Sequence, residues 1–220
     1  MKIGIIGAGH IGANAARLFI NAGHEVLISN SREPDSLAKT LDSLGDECKA
    51  GTTTEAAAFG DVCMIAIPFG KYRSLPSDQF EGKIVIDANN YYLGRDGNFE
   101  AIDDGKTTSS EILAEFLDGS RVVKAFNTIW FEHLRTQGKP DAPIEDRRVI
   151  FVAGDDAEAK QVVLDLIEEI GFAPYDTGGL AEGGRKQQPD TLVYNKDLKP
   201  AEATAILENT NAESDAASSV

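Results

Sequence analysis

Lys2-Ile3-Gly4-Ile5-Ile6-Gly7-Ala8-Gly9-His10-Ile11-Gly12 decides how the rest of this 220-residue chain is read. Lys2 to Ile6 is short and apolar with no polar alternation, the pattern of a strand buried on both faces of a parallel sheet. Glycines at 7, 9 and 12 then spell GxGxxG. Ile11, Ala15, Leu18 and Phe19 follow at helical spacing up to Gly23, a helix stop. Strand, glycine turn and helix in direct succession are the context in which this motif binds a dinucleotide. Gly7 permits the tight turn. Gly9 lets the backbone approach a pyrophosphate that a side chain would block. Gly12 lets the helix pack closely on the strand. The helix N-terminus adds free N–H donors and the positive end of its dipole.

Outward from this unit, apolar strands are expected at Glu25 to Ser29, Lys49 to Thr53, Asp61 to Ile67, Lys83 to Asp87, Arg121 to Phe126, Arg148 to Ala153 and Ala173 to Asp176. Helices are expected at Pro34 to Leu44, Glu55 to Phe59 and Thr108 to Leu117. Pro34 sits near a first turn, and Thr108 with Glu111 has capping-box spacing. A further helix, capped by Asp155 or Asp156, carries the stripe Val162, Val163, Leu166, Ile167 and Ile170 and stops at Gly171. This alternation predicts an α/β, Rossmann-type, doubly wound and mostly parallel sheet. Residues 1–180 form the dinucleotide-binding domain and 181–208 a short C-terminal extension of it. The polar, small residues 209–220 read as a disordered tail. Neither Leu93 to Gly105 nor Gly178 to Pro200 resolves into an element.

The chain carries 36 acidic and 21 basic residues, a net charge of -15. Such a surface repels phosphate backbones and anionic headgroups, which argues against nucleic acid and membrane partners. No apolar run reaches the roughly 18 residues of a membrane helix. The glycines at 7, 9 and 12 argue against a signal helix at the N-terminus. Cys48 and Cys63 form neither a CxxC pair nor a zinc pattern, and read as reduced, buried thiols. A cytoplasmic protein without a metal is expected.

The second strand ends Ser29-Asn30-Ser31-Arg32, with no acid until Glu33. An NAD site places a carboxylate about here, some 20 residues after the glycines, to hold the ribose 2′-OH. Ser31 and Arg32 instead suit a 2′-phosphate, whose geometry the arginine fork matches. NADP(H) is therefore expected over NAD(H). His10, inside the turn, reads as lining the phosphates or facing solvent. His24 and His133 have no catalytic partners in sequence.

Met1 to Ala16, Ser31-Arg32, the strand ending Ile65-Ala66-Ile67-Pro68-Phe69, the segment Lys124-Ala125-Phe126-Asn127-Thr128 and Val152-Ala153-Gly154-Asp155-Asp156 together resemble the F-420-dependent NADP oxidoreductases. Tyr175 to Leu180 is similar too, so the resemblance spans about residues 1 to 180. These reductases pass hydride between NADPH and a deazaflavin. The cytosolic domains of membrane ferric reductases belong to the same wider group. The resemblance implies Gly9, His10 and Ile11 at the pyrophosphate and Ser31 and Arg32 at the 2′-phosphate. Pro68 and Phe69 would close over the stretch from adenosine to nicotinamide, and Ala88 and Asn89 would approach the cofactor. Asn127 and Thr128 would reach the nicotinamide and the acceptor, as the catalytic pair. It also implies a homodimer. After Leu180 the chain departs from the deazaflavin reductases, with Glu182-Gly183-Gly184-Arg185-Lys186-Gln187-Gln188-Pro189 where they carry a more apolar helix.

Hydride transfer between two bound rings asks the protein for position and a dry site rather than for acid–base groups. The expected activity is transfer between NADPH and a small-molecule ring acceptor, a deazaflavin (F-420) or a flavin. Phe69, Asn127 and Trp130 are candidates to shape the acceptor pocket, with Trp130 reading most like core. Two alternatives stand beside this: an NADPH sensor without turnover, and a dehydrogenase of a small hydroxyacid or imine.

Overall fold

The computed structural model describes residues 1–217, with side chains through residue 209. Eight strands form one sheet: β1 (Lys2–Ile6), β2 (Glu25–Ser29), β3 (Cys48–Gly51), β4 (Val62–Ile65), β5 (Ile84–Asp87), β6 (Arg121–Ala125), β7 (Val149–Gly154) and β8 (Ala173–Asp176). Their spatial order is β3-β2-β1-β4-β5-β6-β7-β8. Strands β1 to β6 are parallel, with Ile5 opposite Ile28 on one side and Met64 on the other. Only the β6–β7 pair runs antiparallel, and β8 then follows β7 in parallel. The chain winds outward one way from β1 and the other way from β4, so the switch point lies between these two strands. In open α/β sheets that crevice, at the carboxyl ends of the strands, is where ligands bind.

The helices are α1 (His10–Asn21), α2 (Ala38–Leu44), α3 (Thr53–Phe59), α4 (Leu93–Asp96), α5 (Glu100–Asp103), α6 (Ser109–Phe116), α7 (Phe131–Thr136), α8 (Ala157–Glu169), α9 (Glu182–Lys186) and α10 (Pro200–Ala217). The central strands bury both faces because successive side chains point opposite ways. Val62 and Met64 of β4, with Ile84 and Ile86 of β5, join a core under α1 and α8 that includes Phe19, Val163 and Ile167. Cys63 and Ile65, with Val85, join the other core with Ala56 and Ala57 of α3 and Leu113 of α6. A third, smaller core packs Val193 and Ala203 of the C-terminal extension onto Val149, Phe151 and Ala173.

Local chemistry sets the helix starts. Thr108 accepts from the Glu111 amide at 3.2 Å while the Glu111 carboxylate accepts from the Thr108 amide at 2.8 Å. A second capping box, Thr52 with Glu55, opens α3. Asp156, rather than Asp155, caps α8. The helix expected over Pro34 to Leu44 splits into a 3₁₀ turn, Pro34–Leu37, and α2.

The tail corrects the expectation of disorder from Asn209: α10 runs from Pro200 to Ala217, so residues 209–217 continue a helix and 218–220 lie outside the described residues. The segment lacks an apolar stripe, but its Ala and Glu residues favour a helix and no proline or glycine interrupts it. Among the described residues no helix is long and apolar enough to cross a membrane.

Both cysteines are buried, and burial pushes each thiol up to about 11. The thiolate is the reactive form, so at neutral pH the folded chain should react with a disulfide reagent at least ~100-fold more slowly than the chain unfolded in guanidinium. A thiol-release assay with and without denaturant checks this. Rapid native labelling would show that one of the two is exposed to solvent.

Candidate active site

The glycine turn joins β1 to α1 at the switch point. Gly7 adopts φ +113°, which its residue type alone allows at no cost. A side chain on Gly12 would meet the Gly7 carbonyl oxygen at 1.9 Å, so the helix seats this closely only because position 12 is glycine. At Gly9 the reverse holds: a Cβ would meet nothing within 4 Å, and the backbone faces open space at the mouth of α1.

That space is one end of a cleft. A cavity of about 1030 Å³ is lined by Gly7, Gly9, Asn30, Ser31, Arg32, Ser36, Thr53, Pro68 and Lys71 among others. Asn30 shapes its rim: the Asn30 side-chain oxygen accepts from the Arg32 amide at 2.8 Å, and its Nδ2 donates to Ser36 at 3.0 Å. Arg32 makes no ion pair among the described residues. Arg32 and Lys71 give this end two cations against one acid, Glu33. Lys71 carries no sequence signal, because the 3₁₀ turn Phe69–Ser74 brings it across from the other side of the crevice.

A second cavity of about 360 Å³ shares Gly9, Ala66, Ile67 and Pro68 with the first, so the two adjoin. Its walls include His10, Ile11, Ala88, Asn89, Asn90, Tyr92, Asn127, Trp130 and Tyr194. His10 stacks on Phe131, with ring centroids 4.2 Å apart. Phe126, directly before Asn127, is fully buried at φ +66°, a conformation that costs a bulky residue roughly 1–3 kcal/mol. It turns the chain off the end of β6 so that Asn127 enters the cavity wall. Asn127 Nδ2 donates to Gln187 O at 2.7 Å and to Asn90 Oδ1 at 3.0 Å, which leaves its Oδ1 buried and without a partner among the described residues. Asn89 is its complement. Asn89 Oδ1 accepts from the Ile67 amide at 2.9 Å, and its Nδ2 is buried and unpartnered. Buried polar atoms are nearly always paired. Here one unpartnered acceptor and one unpartnered donor, both buried, belong to residues that line a single cavity.

Beneath this wall lies a buried ion pair. Lys124 Nζ and Asp87 Oδ2, both 1% exposed, are 3.2 Å apart. Ser110 donates to Asp87 at 2.6 Å, the Asn89 amide donates to its other oxygen at 3.0 Å, and Lys124 donates to Asn89 O at 2.9 Å.

Most residues expected from sequence meet along the cleft: Gly7, Gly9, Ser31, Arg32 and Pro68 at the larger end, and His10, Ile11, Ala88, Asn89 and Asn127 at the smaller. Three placements need correction. Phe69 is fully buried and lines neither cavity; it anchors a cluster with Tyr72, Tyr91 and Phe99 that holds residues 91–105 down. Thr128 is buried behind the wall, where its carbonyl accepts from the Asn195 amide at 2.9 Å. Trp130, expected to be core, is 49% exposed and lines the smaller cavity. Arg95 and Tyr194 were missed, since they come from the two segments that sequence left unassigned, and Tyr92, which directly precedes the first of these, had no role in the sequence reading. The remaining histidines are structural: His24 pairs with Glu169 at 2.9 Å and His133 with Arg148 at 2.6 Å.

A Rossmann-type dinucleotide-binding chain with a polar second pocket beside the nucleotide cleft is the class these features define. Residues 2–91 match the family described as NADP oxidoreductase, coenzyme F420-dependent. A hypothetical protein from Sinorhizobium meliloti superposes with a TM-score of 0.75 at 35% identity, covering 90% of this chain and 95% of the other. A putative F420-dependent NADP reductase from Arthrobacter sp. FB24 gives a TM-score of 0.69 at 23% identity, over 84% and 88% of the two chains. The chain is also 31% identical over 182 residues to the metalloreductase STEAP3 of Rattus norvegicus, covering 82% of this chain and 34% of that one. It thus spans about a third of the length of this curated relative. Over residues 2–91 the chain carries the F420-dependent NADP oxidoreductase domain.

Replacing Lys124 with Met leaves the Asp87 carboxylate buried without its countercharge. The expected loss is about 3–5 kcal/mol, or a melting temperature lower by roughly 6–20 °C. Thermal denaturation checks it, and a loss below about 1 kcal/mol would mean that water replaces the amine.

Proposed function

We propose that this chain binds NADP(H) along the cleft and passes hydride between it and a small-molecule ring acceptor, a deazaflavin or a flavin, held in the smaller cavity. One observation carries the reading. The cleft has two cations at one end and, in the wall of the other, a buried donor and acceptor without partners. A dinucleotide phosphate presents the matching groups in that order, a 2′-phosphate and a carboxamide.

The residues divide the work by position. Ser31 and Arg32, assisted by Lys71, hold the 2′-phosphate; a guanidinium binds phosphate by charge and by paired hydrogen bonds. The open backbone at Gly9 and the start of α1 receive the pyrophosphate. Asn89 Nδ2 and Asn127 Oδ1 fix the orientation of the carboxamide. When bound, the reduced nicotinamide supplies a hydride. Pro68 and Trp130 narrow the space in which the acceptor lies and limit water. His24 and His133 are engaged elsewhere and His10 stacks on Phe131; a transfer whose chemistry resides in the two rings asks none of them to act as a general base.

The test is calorimetric titration with NADPH and NADH, on the wild type and on Arg32→Ala. NADPH should bind more tightly than NADH to the wild type. The variant should lose about 10–100-fold for NADPH, the worth of one charge-assisted contact, and little for NADH. Equal affinities in the wild type would overturn the NADP reading. Absorbance assays with F-420 and with flavin mononucleotide then identify the acceptor.

A further inference from the structure

We propose that the paired hydroxyls of Tyr92 and Tyr194 donate the proton that accompanies hydride transfer. The acceptor then belongs to the class of organic rings that gain an O–H or N–H on reduction, and is not a bare metal ion. This rests on the reductase reading above.

The pair stands in the right place. Both rings line the smaller cavity together with Asn89 and Asn127. Their hydroxyls are hydrogen-bonded to each other across 102 residues of sequence. Asn90 Nδ2, which also donates to Asn127 O at 2.8 Å, donates to Tyr194 Oη at 3.4 Å. Two hydroxyls carry two hydrogens, and one of these spans the gap between the rings. Among the described residues no acceptor takes the other, so it is free to serve a ligand.

The surroundings keep Tyr194 protonated until a ligand arrives. Burial and the hydrogen bond to Tyr92 hold the Tyr194 hydroxyl well above the ordinary tyrosine value, so it stays protonated until the acceptor develops charge. The Asn195 side chain and the Arg95 guanidinium pull the other way and favour the ring oxygen once it is ionised. Arg95 lies 4.8 Å from the Tyr92 ring centroid. Tyr194 is half-buried, whereas Tyr92 is 38% exposed. A path for refilling the proton therefore runs from solvent through Tyr92 to Tyr194.

The step balances. Hydride adds to the acceptor ring, and the displaced π pair moves to a carbonyl oxygen or ring nitrogen. That atom takes the Tyr194 proton as the Tyr194 O–H bond breaks. The resulting tyrosinate takes the Tyr92 proton, and water restores Tyr92. The net consumption is one hydride from the reduced nicotinamide and one proton from solvent.

The experiment uses the full chain, Tyr194→Phe and Tyr92→Phe, with two readouts. The first is binding of 4-nitrophenol to the nucleotide-free protein, because its phenolate oxygen stands in for the anionic oxygen of the hydride adduct. The wild type should hold the phenolate, and Tyr194→Phe should hold it at least ~10-fold more weakly. The second is NADPH oxidation with two acceptors. Menadione becomes an oxyanion on taking hydride; methylene blue, a cation, takes hydride alone and becomes neutral. Tyr194→Phe should lose about 100-fold with menadione and less than about threefold with methylene blue, with NADPH affinity unchanged. Tyr92→Phe should lose less on menadione, because it removes the refilling path and not the donor. Phenolate binding indifferent to Tyr194, or equal losses with the two acceptors, overturns the proposal. A wild type that holds phenolate through Tyr194 but oxidises no NADPH with either acceptor overturns the reductase reading, and the proton-donor role with it.

Discussion

The ion pair of Lys124 and Asp87 is the constraint from which the candidate site is built. Charges buried to this degree persist only when each is paired and its remaining hydrogen-bonding capacity is filled. Asp87 fills its capacity with Ser110 and the Asn89 amide, and Lys124 fills its own with the Asn89 carbonyl. The polypeptide leaving β5 therefore has one path. That path places Asn89 against the end of β4, through the Ile67 amide, and Asn90 against Asn127 at the end of β6. Three strand ends are tied together below the cavity, and the unpaired amide atoms above them are held in position before any ligand arrives.

The fold was legible because its signals are local and agree with one another. Each central strand is a short apolar run, each helix is announced by a cap or a stripe, and Gly7, Gly9 and Gly12 sit in register between β1 and α1. The position of Ser31 and Arg32 on the wall of the larger cavity was legible for a similar reason: they directly follow β2, which ends beside the glycine turn. The features hidden from sequence are non-local. Phe69 comes after a strand end as a ligand contact would, yet three aromatic rings from residues 72–99 claim it for the core. Trp130, apolar and adjacent to the helix Phe131–Thr136, looked like core, but its ring is left at the cavity mouth.

The segments left unassigned contribute Arg95, Tyr194 and Asn195 to the wall of the smaller cavity. Asn127 reaches Gln187 across 60 residues, and Tyr92 reaches Tyr194 across 102. Such contacts leave no periodicity and no spacing rule. Glycine, glutamine and proline at 183–189 advertise a loop, and nothing in a loop's composition says which strand ends it covers.

The two ends of the cleft differ in where along the chain they originate. The larger cavity is lined entirely by residues between 6 and 75, whereas the smaller draws on residues up to 195. The larger cavity, with Ser31 and Arg32, is thus encoded in the first third of the polypeptide, and the wall of the smaller one, with Asn89, Asn127 and Tyr194, mostly in the remaining two thirds. Substitutions at Tyr92, Trp130 or Tyr194 can remodel the smaller cavity while the walls of the larger one stay as they are. Drift in the later portion alone could reshape one chamber of this chain while the other is inherited unchanged.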